Sequence, residues 1–386
     1  MRARLFLMLT AINFLDAFIT GAYMLIVPLL MVKRGISLSS IGFVFSALPV
    51  AFLIFRMFFS SAADSVGFRK FFNINALSNF ASALLYTVSA SPSSYATAKA
   101  VQGVKDAAIW AVNRNAVYEA AEGRNPQMAS STIYFIRALA TTIGAGASGL
   151  MISRMSFEQT FILLAVISAL IFAPAWSSDT ARRGHLTLKE LFGRLDPRTV
   201  EWRVWRVALV MSLYTAASTL AVGFVLPIFL SESGFGYWEV GAILASYTGV
   251  GALLIPITLR TNPSMEKVVF VQIFLYLPAA IMIPLTGGNL MVAMVLVMGL
   301  GEAVSRIVWE ALISQEAIGR ENIATIIGFL HVPSNLISIP SYVLAGVLVE
   351  KFGYMASFSA AAILFLFYSV TALRNINKYY MIPPSA

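Results

Sequence analysis

The sequence predicts an all-α membrane protein that crosses the bilayer about twelve times. Of its 386 residues, 59% are hydrophobic and only 12% are charged, whereas soluble domains carry about 25% charged residues. The apolar residues form long segments, and the basic residues collect in the short stretches between them. Because so few charges cannot cover a globular surface, we expect the outer surface of the protein to face lipid.

Each apolar segment approaches the length of about 20 residues that a membrane-spanning helix needs. Regular alternation of polar and apolar residues, typical of a membrane barrel, is absent. Helices are the remaining way to satisfy the backbone within lipid. The predicted spans are residues 5–32, 38–59, 71–91, 94–118, 128–152, 157–177, 204–230, 238–259, 268–287, 289–314, 323–349 and 355–373.

The first segment is better interpreted as a membrane helix than as a signal peptide. Its apolar run is roughly twice the length of a signal's hydrophobic region, and no small-residue cleavage site follows it. Arg2 and Arg4 precede this run. Basic residues beside a span favour the cytoplasmic side, so we expect the N-terminus to be cytoplasmic.

The basic residues between spans predict the orientation of the whole chain. With the N-terminus inside, four of them lie outside, namely Lys33, Arg34, Arg154 and Lys351. Seventeen lie inside: Arg2, Arg4, Arg69, Lys70, Arg124, Arg182, Arg183, Lys189, Arg194, Arg198, Arg203, Arg206, Arg260, Lys267, Arg320, Arg374 and Lys378. This bias predicts a multi-pass protein of the cell membrane with both termini in the cytoplasm. It also accounts for the net charge of +9 without a nucleic-acid partner.

One long polar stretch, Ser178 to Trp202, divides the spans six and six. We therefore predict an N-terminal six-helix bundle at residues 1–178, a cytoplasmic linker at 179–202 and a C-terminal six-helix bundle at 203–386. Within the linker, Thr187 to Leu195 fits either a short amphipathic helix on the inner membrane surface or a solvated connection.

The two halves resemble each other in sequence at an offset near 199. The segments PLLMVKRGISLSSIG and PIFLSESGFGYWEVG share a proline and two glycines at equal spacing, and AEGR at 121–124 parallels AIGR at 317–320. The matched positions are Pro28 with Pro227, Gly35 with Gly234, Gly42 with Gly241, and Gly149 with Gly346. This repeat predicts two pseudo-symmetric bundles of the same orientation.

The stretch between the second and third spans resembles a loop of the major facilitator superfamily, G-x-x-x-D-[RK]-x-G-[RK]-[RK]. Here it reads SSAADSVGFRK from Ser60, with Asp64, Gly67 and the last basic residue in place. Ser60 and Ser65 depart from the family pattern, and Phe68 interrupts the basic pair ahead of Arg69 and Lys70. The resemblance implies that Asp64, Gly67, Arg69 and Lys70 form a cytoplasmic gating motif, which latches that side of the protein.

Two further stretches are similar to motifs of this family. Lys99-Ala-Val-Gln102-Gly103 corresponds to R-x-x-Q-G of the fourth helix, with lysine in place of arginine. Residues 140–149 correspond to G-x-x-x-G-P-x-x-G-G of drug–proton antiporters but lack the proline. Their glycines would allow close helix packing.

The resemblance implies the major facilitator fold and secondary transport by alternating access, with a solute bound between the halves near the bilayer midplane. It also implies that helices 1, 4, 7 and 10 line the central cavity. Polar residues at membrane depth are costly and indicate a pathway. The predicted substrate and coupling residues are Asn13, Asp16, Gln102, Lys105, Asp106, Trp110, Arg137, Glu302 and Arg306.

The same charges also fit a structural interpretation. Asp16 could pair with Lys105 or Arg137, and Glu302 and Glu310 could pair with Arg306. In that case the residues would hold the helices together without contacting a solute.

Deep basic residues outnumber deep acids, which favours a small polar organic solute that is anionic or zwitterionic. Proton symport and facilitated diffusion are both open, so protons are a candidate second partner besides the solute and the lipid bilayer.

Three alternatives remain: a proton-coupled multidrug exporter, a divalent-metal carrier using Asp16 and His331, and a non-transporting membrane receptor. We expect a monomer without cofactor or resident metal. We do not expect an enzyme, because two histidines and no cysteine supply no catalytic cluster.

Overall fold

A computed structural model describes residues 2–121, 126–178, 198, 200–261, 264–317 and 323–376. Nearly all of this part is helical and none of it forms a strand. The helices are α1 Arg2–Lys33, α2 Leu38–Val66, α3 Phe68–Val88, α4 Pro92–Ala120, α5 Pro126–Arg154, α6 Phe157–Ala169, α7 Phe172–Ser177, α8 Trp202–Ala221, α9 Val225–Glu232, α10 Tyr237–Thr261, α11 Met265–Met282, α12 Gly288–Ala317, α13 Ile323–Phe352 and α14 Tyr354–Asn375.

These helices make the twelve predicted spans. The sixth span consists of α6 and α7, the seventh consists of α8 and α9, and a 3₁₀ turn at Ile283–Leu285 extends α11. In the described part of the chain, nine spans are long and apolar enough to cross a membrane. The other three are α3, α4 and α10, and α4 carries two buried charges, Lys99 and Lys105. The predicted fold class is confirmed.

The structure corrects the position of Asp64, which we predicted in the loop after the second span. The span itself, predicted at 38–59, agrees with the apolar span Leu38–Ser60. The helix α2 nevertheless continues to Val66 and the connection to α3 is Gly67 alone, so Asp64 lies in α2. Gly67 has a φ of +84°, a conformation that glycine adopts without steric cost. Polar residues such as Ser60 do not stop a helix that leaves the bilayer, so the end of the apolar segment marks the end of the span and not the end of the helix.

The linker prediction falls mostly outside the described residues. Thr187 to Leu195, proposed as an amphipathic helix or a solvated connection, lies wholly outside them. The AEGR and AIGR matches likewise lie largely outside the described part of the chain. The boundaries at 178 and 203 therefore stay predictions, although α7 ends at Ser177 and α8 begins at Trp202.

The internal repeat is visible in how the helices pack. In the first half α2 packs on α4, α1 on α5, and α3 on both α4 and α6. The second half repeats this pattern: α10 packs on α12, α8 on α13, and α11 on both α12 and α14. The matched turns also agree, because Gly35 and Gly234 both have positive φ values, of 72° and 95°. The two halves are pseudo-symmetric bundles.

The halves contact each other along two equivalent helix pairs, α2 with α13 and α5 with α10. Glycines lie at both crossings. A Cβ on Gly42 would clash with the carbonyl of Tyr342, and a Cβ on Gly149 would lie 2.8 Å from the Cα of Gly241. Small residues allow two helix backbones to approach this closely. The glycines matched by the sequence repeat therefore lie at matched contacts between the halves.

Most of the described contacts between the halves lie at one end of the molecule, which we call the Gly35 end. There the backbone N–H of Ser39 donates to Glu350 Oε2 at 2.7 Å, and the rings of Phe157 and Tyr237 meet edge to face. Thr142 and Thr248 form a hydroxyl–hydroxyl hydrogen bond of 3.0 Å further in. The opposite end, which contains Gly67, is called the Gly67 end. In the described part of the chain the halves are closed against each other at the Gly35 end.

Candidate functional site

Asp16 of α1 is the centre of a charge cluster in the first half. It is fully buried, and its carboxylate lies 3.2 Å from the Lys105 ammonium and 3.0 Å from the Arg137 guanidinium. The side-chain amides of Asn75 and Asn79 donate to Oδ1 at 2.9 and 3.1 Å. Burial of an unpaired carboxylate would cost several kcal/mol of desolvation free energy. The two cations and two amides around Asp16 compensate this cost.

Lys105 of α4 connects Asp16 to a second carboxylate. Its ammonium lies 2.9 Å from Asp106 Oδ1 and donates to the Thr20 hydroxyl at 2.7 Å. Lys105 is fully buried, whereas the Asp106 side chain is 17% exposed. We call Asp16, Lys105, Asp106 and Arg137 the N-cluster. Its two acids and two bases balance in formal charge.

Arg137 is the residue of the N-cluster that lies next to the space between the halves. Its guanidinium donates to Asn13 Oδ1 at 3.0 Å and lies 4.8 Å from the centroid of the Trp110 ring. Asn13 and Asn113 exchange amide hydrogen bonds of 2.8 and 2.9 Å across α1 and α4. Trp110 is 40% exposed. An exposed indole beside a guanidinium offers a flat apolar surface next to a positive charge.

Gln102 lies on a different side of α4 from Trp110. Its side-chain oxygen accepts hydrogen bonds from the Tyr86 hydroxyl and the Lys99 ammonium, each at 3.0 Å. Gln102 is only 4% exposed. The predicted pathway residues of α4 therefore divide, because Gln102 packs against α3 whereas Trp110 is exposed.

Glu302 of α12 is the centre of a second cluster, in the other half. Oε1 accepts hydrogen bonds from the hydroxyls of Tyr214 and Ser218, each at 3.1 Å, and Oε2 accepts from the Tyr247 hydroxyl. Arg306 lies one turn away, with its guanidinium 3.7 Å from Oε1. We call Glu302, Arg306, Tyr214, Ser218 and Tyr247 the C-cluster. Hydroxyl groups rather than cations provide most of its compensation.

Arg306 faces the space between the halves. Its side chain is 54% exposed, and Nη1 donates to the Tyr134 hydroxyl of α5 at 3.3 Å. Tyr134 precedes Arg137 by three residues, so both lie on one face of α5. Two guanidinium groups, one from each half, therefore approach the same region of the interface.

Aromatic side chains extend this region on the C-terminal side. The Trp309 ring meets the Tyr214 ring with centroids 5.2 Å apart and the His331 ring at 5.9 Å. The Nδ1 atom of His331 lies 2.8 Å from the Ile327 carbonyl. The region thus combines guanidinium groups with aromatic faces.

The predicted gating motif lies apart from both clusters, at the Gly67 end. Arg69 packs on Trp176 with its guanidinium carbon 3.9 Å from the ring centroid, and Lys70 is exposed. Gly67 forms the turn, as its sequence position predicted. The side chain of Asp64 lies outside the described residues, so its predicted latch contact stays a prediction.

The structure separates residues that the sequence analysis grouped as one pathway. Asp16, Lys105, Asp106, Arg137 and Asn13 form one network, and Glu302 and Arg306 belong to another. The ion pairs of Asp16 with Lys105 and Arg137, weighed as a structural alternative, are both present.

Several partners of these charges were not among the predicted site residues. Asn75 and Asn79 hold Asp16, and Tyr247 and Ser218 hold Glu302. The two asparagines were detectable in principle, because amides four residues apart in an apolar helix share one face. Tyr247 and Ser218 carry no comparable signal, since single tyrosines and serines are common in membrane helices.

The sequence matches the model of one protein family, described as Major Facilitator Superfamily, over residues 9–339. That range spans both halves and contains every residue of the two clusters. No curated protein sequence gave a significant match.

Solved structures with this fold include two transporters. The structure described as nucleoside transporter NupG has a TM-score of 0.72 at 14% identity, covering 97% of this chain and 99% of that one. A point mutant of the same transporter gives 0.71 at 16% identity, with 97% and 100% coverage. The human organic anion transporter MFSD10 (TETRAN) gives 0.70 at 15% identity, with 96% and 99% coverage. At these identities the likeness establishes the fold alone.

Proposed function

Because the chain belongs to the major facilitator superfamily, we propose that it is a secondary transporter that moves a small organic anion or zwitterion by alternating access. It is an integral membrane protein with many spans. In this fold the solute binds between two bundles that open alternately to each side. The bound solute is then exposed to one side of the membrane at a time.

The observation that carries the proposal is the placement of Arg306. Its guanidinium is half exposed at the middle of α12, has one distant carboxylate neighbour at 3.7 Å and contacts Tyr134 across the interface. Arg137 approaches from the other half beside the exposed Trp110 ring. A solute carboxylate could accept from these guanidinium groups while its apolar part packs on the indole.

The charge balance within the spans supports an anion. The N-cluster is balanced and Glu302 offsets Arg306, so the remaining charges away from the helix ends decide the sign. Of the four that the sequence places within the apolar spans, three are basic and one is acidic: Lys99, Arg56, Arg114 and Glu310. This excess of positive charge favours a negatively charged solute over a lipophilic cation.

We assign the described conformation to an inward-facing state. The halves are closed at the Gly35 end, whereas Arg306 and Trp110, beside the contacts of α5 and α12, remain exposed. The Gly67 end lies among the basic segments that the positive-inside rule assigns to the cytoplasm. The solute site would therefore be accessible from the cytoplasm.

Proton symport and facilitated diffusion differ in the role of Glu302. In symport, a solute anion pairs with the Arg306 guanidinium. Glu302 then lacks its cation and takes up a proton during the cycle. In facilitated diffusion Glu302 only positions Arg306. The hydroxyl-rich surroundings of Glu302 permit both, because hydroxyl groups can donate to a carboxylate and accept from a carboxyl group.

The alternatives have weaker support. A drug exporter would use Asp16 to bind a cationic drug, but Asp16 already has two cations within 3.2 Å. No group of three or more His, Asp or Glu side chains suited to a metal ion occurs among the residues that the structure describes. A non-transporting receptor would bind a ligand without moving it, so flux distinguishes it.

The first experiment is a thermal-shift screen of purified protein against aromatic carboxylates, nucleosides, lipophilic cations and divalent metal ions. The nucleosides and carboxylates are included because NupG and MFSD10 are described as transporters of nucleosides and organic anions. A ligand that binds only the folded state raises its stability by mass action, about 2.7 kcal/mol at 100 times Kd. Ligands that stabilise the protein are then tested for uptake into proteoliposomes.

Arg306→Gln provides the matched test of the site. We expect it to abolish the stabilisation by anions and to reduce uptake at least about tenfold, since a charge-assisted hydrogen bond contributes about 1.5–3 kcal/mol. Arg154→Gln is the control, because Arg154 is an exposed arginine in the last turn of α5. Equal stabilisation and uptake in wild type and Arg306→Gln would reject this binding site.

A further inference from the structure

Lys99 of α4 is a buried cation that the central site does not use. Its side chain is 3% exposed, and its ammonium lies 3.0 Å from Gln102 Oε1 and 4.0 Å from the centroid of the Phe45 ring. Among the described residues no carboxylate lies within 4.0 Å of it. Lys105, six residues further along α4, has two carboxylates at 3.2 Å or less.

The partners of Lys99 compensate its burial only in part. The Gln102 oxygen also accepts from the Tyr86 hydroxyl, so it is shared between two donors. A benzene ring attracts an ammonium through its quadrupole but bears no charge. A buried ammonium without an anion is costly, so this position favours any conformation or ligand that supplies one.

Lys99 lies beneath an aromatic contact between the two halves. The Phe45 ring meets Phe224 at 5.2 Å and Tyr342 at 5.7 Å between ring centroids. Phe224 lies at the break between α8 and α9, and Tyr342 lies on α13. We call Phe45, Phe224 and Tyr342 the aromatic seal. It closes the interface at the Gly35 end, and its member Phe45 contacts the Lys99 ammonium.

Phe45 and Lys99 belong to one rigid pair of helices. A Cβ on Gly103 of α4 would clash with the Leu48 carbonyl of α2, so the two backbones are in direct contact. The other members of the aromatic seal belong to the second half. When the halves separate at the Gly35 end, Phe45 therefore stays on Lys99 while Phe224 and Tyr342 move away.

We propose that Lys99 is an anion-binding residue of the outer entrance, whose ammonium becomes accessible beside the Phe45 ring when Phe224 and Tyr342 move away. Its ligand is a single anionic group, a carboxylate, a sulfonate or an inorganic anion, held by the ammonium at the edge of the Phe45 ring. The proposal rests on the proposed alternating access, because the site is closed in the described state. An anion held there would lie about 9 Å along α4 from Lys105, at 1.5 Å per residue, and so on the way to the central site.

The test measures which charge the opened entrance attracts. A cysteine replaces Tyr342 in this cysteine-free chain, and intact cells are treated from outside with two impermeant reagents. One is the anionic sulfonatoethyl methanethiosulfonate, and the other is the cationic trimethylammonioethyl methanethiosulfonate. The measured quantity is the ratio of the anionic to the cationic labelling rate, in backgrounds with Lys99, Lys99→Arg and Lys99→Gln.

We expect the labelling ratio to fall about tenfold in Lys99→Gln and to be retained in Lys99→Arg. A tenfold change is the size of effect that a local charge has on the association rate of charged ligands. Lys351→Gln is the control, because Lys351 is an exposed lysine at the end of the same helix as Tyr342. It should leave the ratio unchanged. External benzoate should slow labelling with Lys99 present and have no effect in Lys99→Gln.

Two results would overturn the proposal. One is an equal ratio with Lys99 and Lys99→Gln. The other is no labelling from outside in any background while the unfolded protein labels fully, which would mean that the entrance never opens. The labelling measurement does not need transport. If Arg306→Gln had no effect on binding or uptake while the labelling ratio still depended on Lys99, the central site would be rejected and the Lys99 site would be retained.

Discussion

At the scale of single residues, Asp16 and Glu302 are buried acids whose carboxylates have different kinds of hydrogen-bonding and charged neighbours. Asp16 has two cations and two amides as neighbours, whereas Glu302 has three hydroxyl groups and one distant guanidinium. Hydroxyl groups can serve a charged or a neutral carboxyl group, whereas paired cations require the charge. The neighbours of Asp16 therefore require a charged carboxylate, whereas those of Glu302 can hydrogen-bond to a carboxylate or to a carboxyl group.

Asp16→Asn should lower both stability and transport. The substitution leaves Lys105 and Arg137 without their shared anion, and breaking a buried pair costs about 3–5 kcal/mol. Asp106→Asn is the matched control, because Asp106 is 17% exposed and has Lys105 as its cation. Thermal unfolding of both variants in detergent, with uptake measured on the same samples, compares them. Equal melting temperatures of Asp16→Asn and wild type would show that the N-cluster does not stabilise the fold.

Glu302→Gln should separate symport from facilitated diffusion. If Glu302 takes up the coupled proton, the glutamine variant still binds solute but its uptake no longer responds to a pH gradient. The measurement is solute uptake into proteoliposomes with and without an imposed gradient, with Glu310→Gln as the control for an exposed acid on the same helix. A gradient response equal to that of wild type would exclude Glu302 as the proton carrier.

At the scale of elements, the two glycine crossings hold the Gly35 end closed. At the crossing of α5 and α10, a Cβ on Gly149 would lie 2.6 Å from the Tyr237 carbonyl oxygen. This is a backbone atom, so it cannot move away by a change of rotamer. The crossing of α2 and α13 has the same property at Gly42 and Gly346. Each crossing requires the absence of a side chain, so even a methyl group should push the helices apart.

Gly149→Ala should open the Gly35 end. The reporter is a cysteine in place of Thr142, which meets Thr248 across the same helix pair at 3.0 Å. Its labelling from outside should accelerate in Gly149→Ala. Gly328→Ala is the control, since nothing lies within 4 Å of the added Cβ, and alanine in an open helix position stabilises by about 0.5–1 kcal/mol. Unchanged labelling in Gly149→Ala would mean that the crossing adapts without separating the halves.

At the scale of the whole molecule, the proposed state depends on the orientation predicted from the basic residues. We predict from the positive-inside rule that the Gly67 end is cytoplasmic, and on that prediction the described state is open to the cytoplasm and closed to the outside. The direction of net transport is a separate matter, which the solute and proton gradients decide.

Cysteine labelling at the two ends tests this topology. Ser177 and Ser93 are exposed residues at the Gly67 end and the Gly35 end, respectively. Ser177→Cys should react with impermeant reagents only in inverted vesicles, and Ser93→Cys only in intact cells. Ser177 is a better reporter than its neighbour Ser178, which is fully buried. The opposite pattern would invert the predicted orientation and the assignment of the inward-facing state.

Local sequence determined the membrane class, the twelve spans, the repeat and the types of buried charge in this protein. Each of these depends on a property that a short segment has by itself: apolar length, the positions of glycines, or a charge within an apolar run. The position of Asp64 within α2 was missed because a helix can continue beyond the bilayer, where hydropathy no longer reports it.

Tertiary structure alone decided which groups surround each charge. Asp16 could have paired with several cations, and its contacts with Lys105, Arg137, Asn75 and Asn79 depend on how α1, α3, α4 and α5 are rotated against each other. Those rotations follow from close backbone contacts between helices distant in sequence, such as Gly21 of α1 against Thr141 of α5. The division into two clusters, and the position of Lys99 beneath the aromatic seal, arise from the same packing and have no signature in any single segment.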